Sequence, residues 1–278
     1  MSIILIDLGL VALGLALGAL HARRILHRQK GVTLYGVHRH LGIALWAAAA
    51  SALVLGAGIL VISNQNLLWK TPVEIEIRIP TALWTLILFP MSYFGTIAVV
   101  VAHRCQDSRK KSLLTAIPVL LIAFGSIHWS RQRTIADELT HVTDPNGIIL
   151  QSSGVSCAAA SAANILNQFG MKKTEAELAT ILGTTATGTS SGQVIAGLRR
   201  IKIGCRRASF DSPEEIPFPA MLFVDDPVAG PESHAVALVS RTTGGVCEVW
   251  DPLDGRHEMT PEKLRKIWHG KTLVFDVP

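Results

Sequence analysis

Gln151-Ser-Ser-Gly-Val-Ser-Cys157-Ala-Ala-Ala-Ser-Ala-Ala-Asn164 places a cysteine at the mouth of a helix made almost wholly of small residues. The run from Ala158 continues as Ile-Leu-Asn-Gln-Phe169 and stops at Gly170, the residue that most easily ends a helix. Alanine and serine add little bulk, so neighbouring elements can pack close to the axis of this helix. Its first turn has backbone N–H groups with no partner inside the helix, and these favour negative charge on Cys157. Gln151 stands six residues earlier, in a turn rich in Ser and Gly that can bend its amide back toward the cysteine.

Downstream, Thr174 and Glu177 have capping-box spacing ahead of Leu178 to Leu182, and Gly183 is placed to close that helix. A third helix is expected from about Gln193 to Arg200. Apolar runs follow at Ile203 to Phe210, Ala220 to Val224, His234 to Ser240 and Val246 to Trp250, separated by Pro, Gly, Asp and Thr turns. They read as an antiparallel sheet. Thr260-Pro261 opens another helix that Gly270 is expected to end, before a strand from Thr272 to Val277. Upstream, Gly147 to Leu150 is a brief β-like run. Helices first and sheet later describe an α+β domain over residues 134–278.

The chemistry follows from the order of four residues. Cys157 supplies a nucleophile, and His234, opening a strand directly after the loop 225–233, is a base held at a cleft edge. Asp251, ending the next strand in Val249-Trp-Asp251-Pro252, can orient the imidazole if the two strands pair. Gln151 and the Cys157 N–H would hold an oxyanion. Such a set hydrolyses a peptide bond through an acyl-enzyme and needs no metal or organic cofactor. The same residues also suit acyl transfer or side-chain amide cleavage, and a catalytically idle peptide-binding module is the rival of a different class. Asp226, Asp254, His257, His141 and His269 are reserve candidates in loop or terminal positions.

The stretch from Gln151 to Asn164, with His234-Ala-Val-Ala-Leu and Val249-Trp-Asp251-Pro252, resembles the bacteriocin-processing, double-glycine leader peptidases of the papain-like clan. The resemblance covers about half the chain. It implies a papain-like cysteine peptidase domain with Cys157 as nucleophile, His234 as base, Asp251 as orienting residue and Gln151 in the oxyanion hole. The family often carries Asp before the cysteine and Gly after it, where this chain has Ser156 and Ala158. The implied partner is a peptide or leader-bearing protein substrate, with a separate transporter as a further candidate. His269-Gly-Lys-Thr272 looks like the tail of a phosphate loop, but Arg265 stands where its first glycine belongs, so ATP binding is not expected.

The first 133 residues differ in kind. They hold thirteen Lys and Arg against four Asp and Glu, while the remainder holds thirteen against seventeen. Four apolar stretches, at 3–20, 41–62, 81–102 and 113–129, are expected to form a transmembrane region of four helices. The second and third each run 22 residues without a charge, about the length needed to cross a bilayer. Arg23, Arg24, Arg28 and Lys30 follow the first stretch rather than precede it, which argues against a cleaved signal peptide.

With Arg39, Arg104, Arg109, Lys110 and Lys111, those four put nine positive residues on one side. Lys70, Arg78, Arg131 and Arg133 put four on the other. The excess belongs in the cytoplasm, so the expectation is a multi-pass protein of a bacterial cell membrane with its peptidase domain outside. Positive charge confined between apolar runs points to the lipid bilayer as partner and away from nucleic acid. His38 and His40 read as part of a solvated basic loop, with no further ligands beside them. For an extracytoplasmic domain, a Cys205–Cys247 disulfide that leaves Cys157 free is one expectation, and two buried free thiols are the alternative.

Overall fold

A computed structural model describes residues 2–28, 64–104, 130 and 132–276. The chain forms two compact units, Met1–Trp129 and Ser130–Pro278.

In the first unit, α1 (Ser2–Arg28) packs against α4 (Ile79–Arg104), with the short helices α2 (Gln65–Lys70) and α3 (Val73–Glu76) between them in sequence. Gly14 and Gly18 lie one turn apart on α1 and admit the partner backbone. A Cβ at Gly14 would lie 2.0 Å from Ser92 Oγ, and one at Gly18 would lie 2.6 Å from Tyr93 O. His21 Nδ1 meets the Tyr93 hydroxyl across the same interface.

The expected span at 3–20 falls inside α1 and that at 81–102 inside α4, whereas 41–62 and 113–129 lie outside the described residues. Among the described residues no helix is long and apolar enough to cross a membrane, so the four-helix transmembrane expectation finds no support there.

The second unit has the expected α+β build. Three helices come first: α5 (Cys157–Gln168), α6 (Glu175–Leu182) and α7 (Ser191–Arg200). Capping boxes start α6, with Thr174 and Glu177, and α7, with Ser190 and Gln193; Gly183 ends α6 in the left-handed region at φ 69°. A two-stranded ribbon, β1 (Val142–Thr143) and β2 (Ile149–Leu150), precedes them.

The main sheet contains β3 (Gly204–Ser209), β4 (Ala220–Asp226), β5 (Gly230–Arg241), β6 (Cys247–Asp251), β7 (Gly255–Met259) and β8 (Trp268–Asp276). All neighbours are antiparallel, in the order β3-β8-β4-β5-β6-β7. Leu222 pairs with Val236 and Leu238 with Val249, and these residues join Ile216, Leu264 and Trp268 in one buried core. Leu264 comes from α8 (Pro261–Leu264). Helix α5 packs along β5, and its residues from Ala158 to Leu166 are all buried.

Several expectations change. The sheet has an additional edge strand, β7, whose sequence Gly-Arg-His-Glu-Met lacks the apolar run that marks a strand. The helix after Thr260 is a single turn, and Gly270 lies inside β8 rather than at a helix end. Its φ of 100° lets it pass the Phe210 carbonyl, to which a Cβ would come within 2.9 Å. The expected disulfide does not form: Cys205 and Cys247 are free thiols. Cys205 is on β3 and Cys247 on β6, with β8, β4 and β5 between them. Four strand spacings put them roughly 19 Å apart, whereas bridged Cα atoms stand within about 7 Å.

Candidate active site

The first turn of α5 is left open by its own sequence. Ser156, the residue before the helix, directs its hydroxyl to Ser153 O at 2.9 Å and accepts Ser153 N–H at 3.2 Å instead of capping the helix. The initial N–H groups therefore have no side-chain cap, and Cys157 stands half-buried among them. One turn further, Ser161 donates to Ala235 O at 2.9 Å, next to His234. One more turn brings Asn164, which accepts Ile149 N–H at 2.7 Å and donates to Ile149 O at 2.9 Å, two residues before Gln151. Residues 157, 161 and 164 share one helix face. A single polar stripe thus carries the cysteine and fixes the two segments that bear its expected partners.

His234 is 6% exposed and faces two groups at once. Its Nε2 lies 2.7 Å from Asp251 Oδ1, and the Cys157 side chain is close enough to favour a charged ring. Burial opposes charge on the ring, but the hydrogen bonds and charges of Asp251 and Cys157 outweigh it and raise the His234 pKa to about 10. Asp251 titrates below the usual carboxylate range: burial opposes this, and the bonds from His234 and from Leu253 N–H, at 2.8 Å, overcome it.

The backbone before His234 is irregular. Asp226 pairs with Gly230 and Val224 with His234, so β5 spends four residues where β4 spends two. Glu232 lies in this bulge at φ 52°, a conformation uncommon for a side chain of its type. It is pinned twice, by its N–H to Asp225 Oδ1 at 3.0 Å and by its carboxylate to Lys271 Nζ at 2.5 Å.

Gln151 completes the group. Its N–H donates to Pro252 O at 2.7 Å, directly after Asp251, and its Nε2 donates to Ser153 O at 3.0 Å. One amide hydrogen remains, and the buried Oε1 has no partner among the described residues. The four expected site residues are thus brought together: His234 and Asp251 joined side chain to side chain, Cys157 beside His234, and Gln151 tied through Pro252.

The reserve candidates have other partners. Asp226 accepts N–H groups of Val228 and Ala229, and His269 bonds Asp225 at 2.9 Å. His141 is exposed ahead of β1. His257 bonds Asp254 at 2.5 Å, and ligand atoms of Asp251, Asp254 and His257 lie within 4.8 Å of one another. That trio is the one set of described residues with a spacing that suits a metal ion, although Asp251 Oδ1 is already engaged by His234 and Leu253. Sequence reasoning missed Glu232 and Lys271: they are 39 residues apart, and only the sheet order brings β8 beside the hairpin.

The family model of the peptidase C39 family matches residues 146–277. Over those residues the C-terminal half is similar to this family. An uncharacterized protein of Methanothermobacter thermautotrophicus is 28% identical to it over 131 residues, 47% of this chain and 89% of that protein. Among solved structures, the C-terminal domain is similar to a double-glycine motif protease of an AMS/PCAT transporter in complex with a leader peptide. That match has 19% identity, covers 52% of this chain and 94% of the other, and has a TM-score of 0.40. It is also similar to the peptidase domain of Streptococcus ComA, a bifunctional ABC transporter involved in quorum sensing. Here the identity is 16%, the coverage 45% and 94%, and the TM-score 0.41.

Proposed function

We propose that the C-terminal domain is a cysteine peptidase that cleaves a peptide bond in a leader-bearing or otherwise extended peptide, with Cys157, His234, Asp251 and Gln151 as its working residues. The observation that carries this reading is the buried imidazole of His234, bonded to Asp251 and close enough to Cys157 for the two side chains to interact. A ring pKa of about 10 keeps His234 protonated at neutral pH, ready to give its proton to a leaving amine, and Cys157 beside it is the nucleophile.

Cys157 Sγ adds to the substrate carbonyl carbon, and the charge that develops on oxygen is met by the Cys157 N–H and the remaining Gln151 amide hydrogen. As the carbonyl re-forms, the C–N bond breaks and His234 gives its proton to the leaving amine. Water then attacks the thioester, losing a proton to His234, and the acid product leaves with Cys157 as thiolate and His234 as imidazolium again. Asp251 holds the ring in the tautomer and orientation that both steps require.

We further propose that this domain is tethered to a lipid bilayer and stands outside the cytoplasm, with a separate transporter as candidate partner. The charge-free 22-residue run at 41–62 and the asymmetry of the basic residues support the tether and its orientation.

The test is turnover of a synthetic peptide bearing a Gly-Gly pair by the full chain in proteoliposomes, beside Cys157→Ala. Cys157-dependent release of a new N-terminus is expected. Peptide binding without turnover would replace the peptidase by a binding module. Labelling of Cys157 in intact cells by a membrane-impermeant thiol reagent tests the orientation, and labelling only after permeabilisation would reverse it.

A further inference from the structure

Glu175, the first residue of α6, is fully buried. Burying a carboxylate is costly unless its oxygens are met, and Glu175 spends its oxygens on one residue. Both approach Ser152 N, at 3.0 and 3.2 Å, and Oε2 also accepts the Ser152 hydroxyl at 2.7 Å. That hydroxyl in turn accepts Thr140 N–H at 3.0 Å. The start of a helix tolerates negative charge, which lowers the cost, but α6 already has its cap in Thr174 and Glu177 and has no need of a buried acid for its own sake.

The position of Ser152 gives Glu175 its significance. Ser152 N belongs to the peptide plane on the C-terminal side of Gln151, and Gln151 N belongs to the plane on its N-terminal side. Glu175 pins the first and Pro252 O, at 2.7 Å, pins the second. With both planes fixed from distant parts of the chain, the backbone torsions of Gln151 are set, and only the side-chain torsions remain. The bond from Nε2 to Ser153 O fixes those.

We propose that Glu175 is a positioning residue for the Gln151 amide: its buried carboxylate holds Ser152 so that the remaining Nε2 hydrogen meets the oxyanion formed at Cys157. This inference rests on the peptidase reading. It assigns a role to a group that touches neither substrate nor the reacting atoms. Misplacing an oxyanion donor by a fraction of an ångström loses transition-state stabilisation while leaving the nucleophile intact.

The experiment is a double-mutant cycle on the full chain, with a peptidyl-Gly-Gly-aminomethylcoumarin as probe. Glu175→Gln is expected to lower kcat by about tenfold to a hundredfold with KM little changed, less than the roughly hundredfold to thousandfold loss when an oxyanion donor is removed outright. In a Gln151→Ala background the same change should lower kcat by less than about twofold, because the group it positions is gone. Alkylation of Cys157 by iodoacetamide forms no oxyanion, so its rate should be the same in Glu175→Gln as in the parent.

Equal losses in both backgrounds, or a matching fall in alkylation rate, would reduce Glu175 to a structural role and overturn the inference alone. A parent chain without Cys157-dependent turnover would overturn the peptidase reading and this inference with it. Should Glu175→Gln fail to fold, Ser152→Ala keeps the N–H, loses the hydroxyl and enters the same cycle with the same expected non-additivity.

Discussion

Asp251 Oδ1 accepts two hydrogen bonds at once, from His234 Nε2 at 2.7 Å and from Leu253 N–H at 2.8 Å. The second bond fixes the carboxylate, and the first transmits that fixity to the ring that meets Cys157. Asp251→Asn keeps the shape and removes the charge and an acceptor. The expected loss in kcat/KM is roughly a hundredfold or more, because ring orientation and proton affinity both suffer. Asp251 is among the groups that raise the His234 pKa to about 10, so its removal must lower that value. The alkaline limb of the pH–rate profile should therefore move to lower pH, by about one unit or more.

The same raised pKa bears on stability. Protonated His234 stabilises the fold fully below its unfolded value, near 6.5, and this contribution is lost as pH rises through about 10. Asp251→Asn should flatten that dependence. Urea unfolding between pH 6 and 10, followed by alkylation of the buried Cys247, measures it for the C-terminal domain alone.

Asn164 and Ser161 should differ in a predictable order. Asn164→Ala strands the N–H and the carbonyl of Ile149, both inside the protein, and is expected to cost about 2–4 kcal/mol. Ser161→Ala strands one carbonyl, that of Ala235, and should cost about 1–2 kcal/mol. Denaturant midpoints read by the same thiol probe test the ranking; a larger effect at Ser161 would contradict the account of the stripe.

Lys271 and Glu232 form an ion pair with side chains only 11% and 14% exposed, two residues from His234 along the bulge. Lys271→Met leaves a buried carboxylate without its cation and should destabilise the domain by about 3–5 kcal/mol. Lys271→Met with Glu232→Met removes both charges and should recover much of that stability. If the ion pair also sets the bulge, turnover by the folded double variant will stay below that of the parent. Thermal denaturation and peptide turnover, measured together, separate the two effects.

The thiols provide a check on topology. Cys205 and Cys247 lie on strands separated by three others, so alkylation after unfolding should give the same mass with and without reductant. Burial, with the nearby Asp276 charge, pushes the Cys205 thiol up to about 12, and it should resist alkylation in the native protein at neutral pH.

Local rules made α5, α6 and α7 readable, since a cysteine-led run of small residues and two capping boxes announce themselves within ten residues of chain. His234 and Asp251 were readable for a similar reason: each sits at the end of an apolar run, where a strand holds a side chain at an edge. What stayed hidden depends on the order of strands. The expected Cys205–Cys247 bridge assumed that two β-like runs face one another, and only the insertion of β8, β4 and β5 between them refutes it. β7 was missed because an edge strand needs no continuous apolar face, and His257 was therefore assigned to a loop. The clamp of Glu175 on Ser152 spans 23 residues and leaves no periodicity to detect.

β8 is the last strand of the sheet in sequence, yet it is inserted between β3 and β4. While a ribosome is still making residues 268–276, β3 has no partner and β4 has an open edge, although Cys157, His234 and Asp251 have already been synthesised. The complete set of reactive groups therefore exists before the sheet that aligns them can close. A chain that stops short of β8 carries Cys157, His234 and Asp251 without the closed sheet that aligns them.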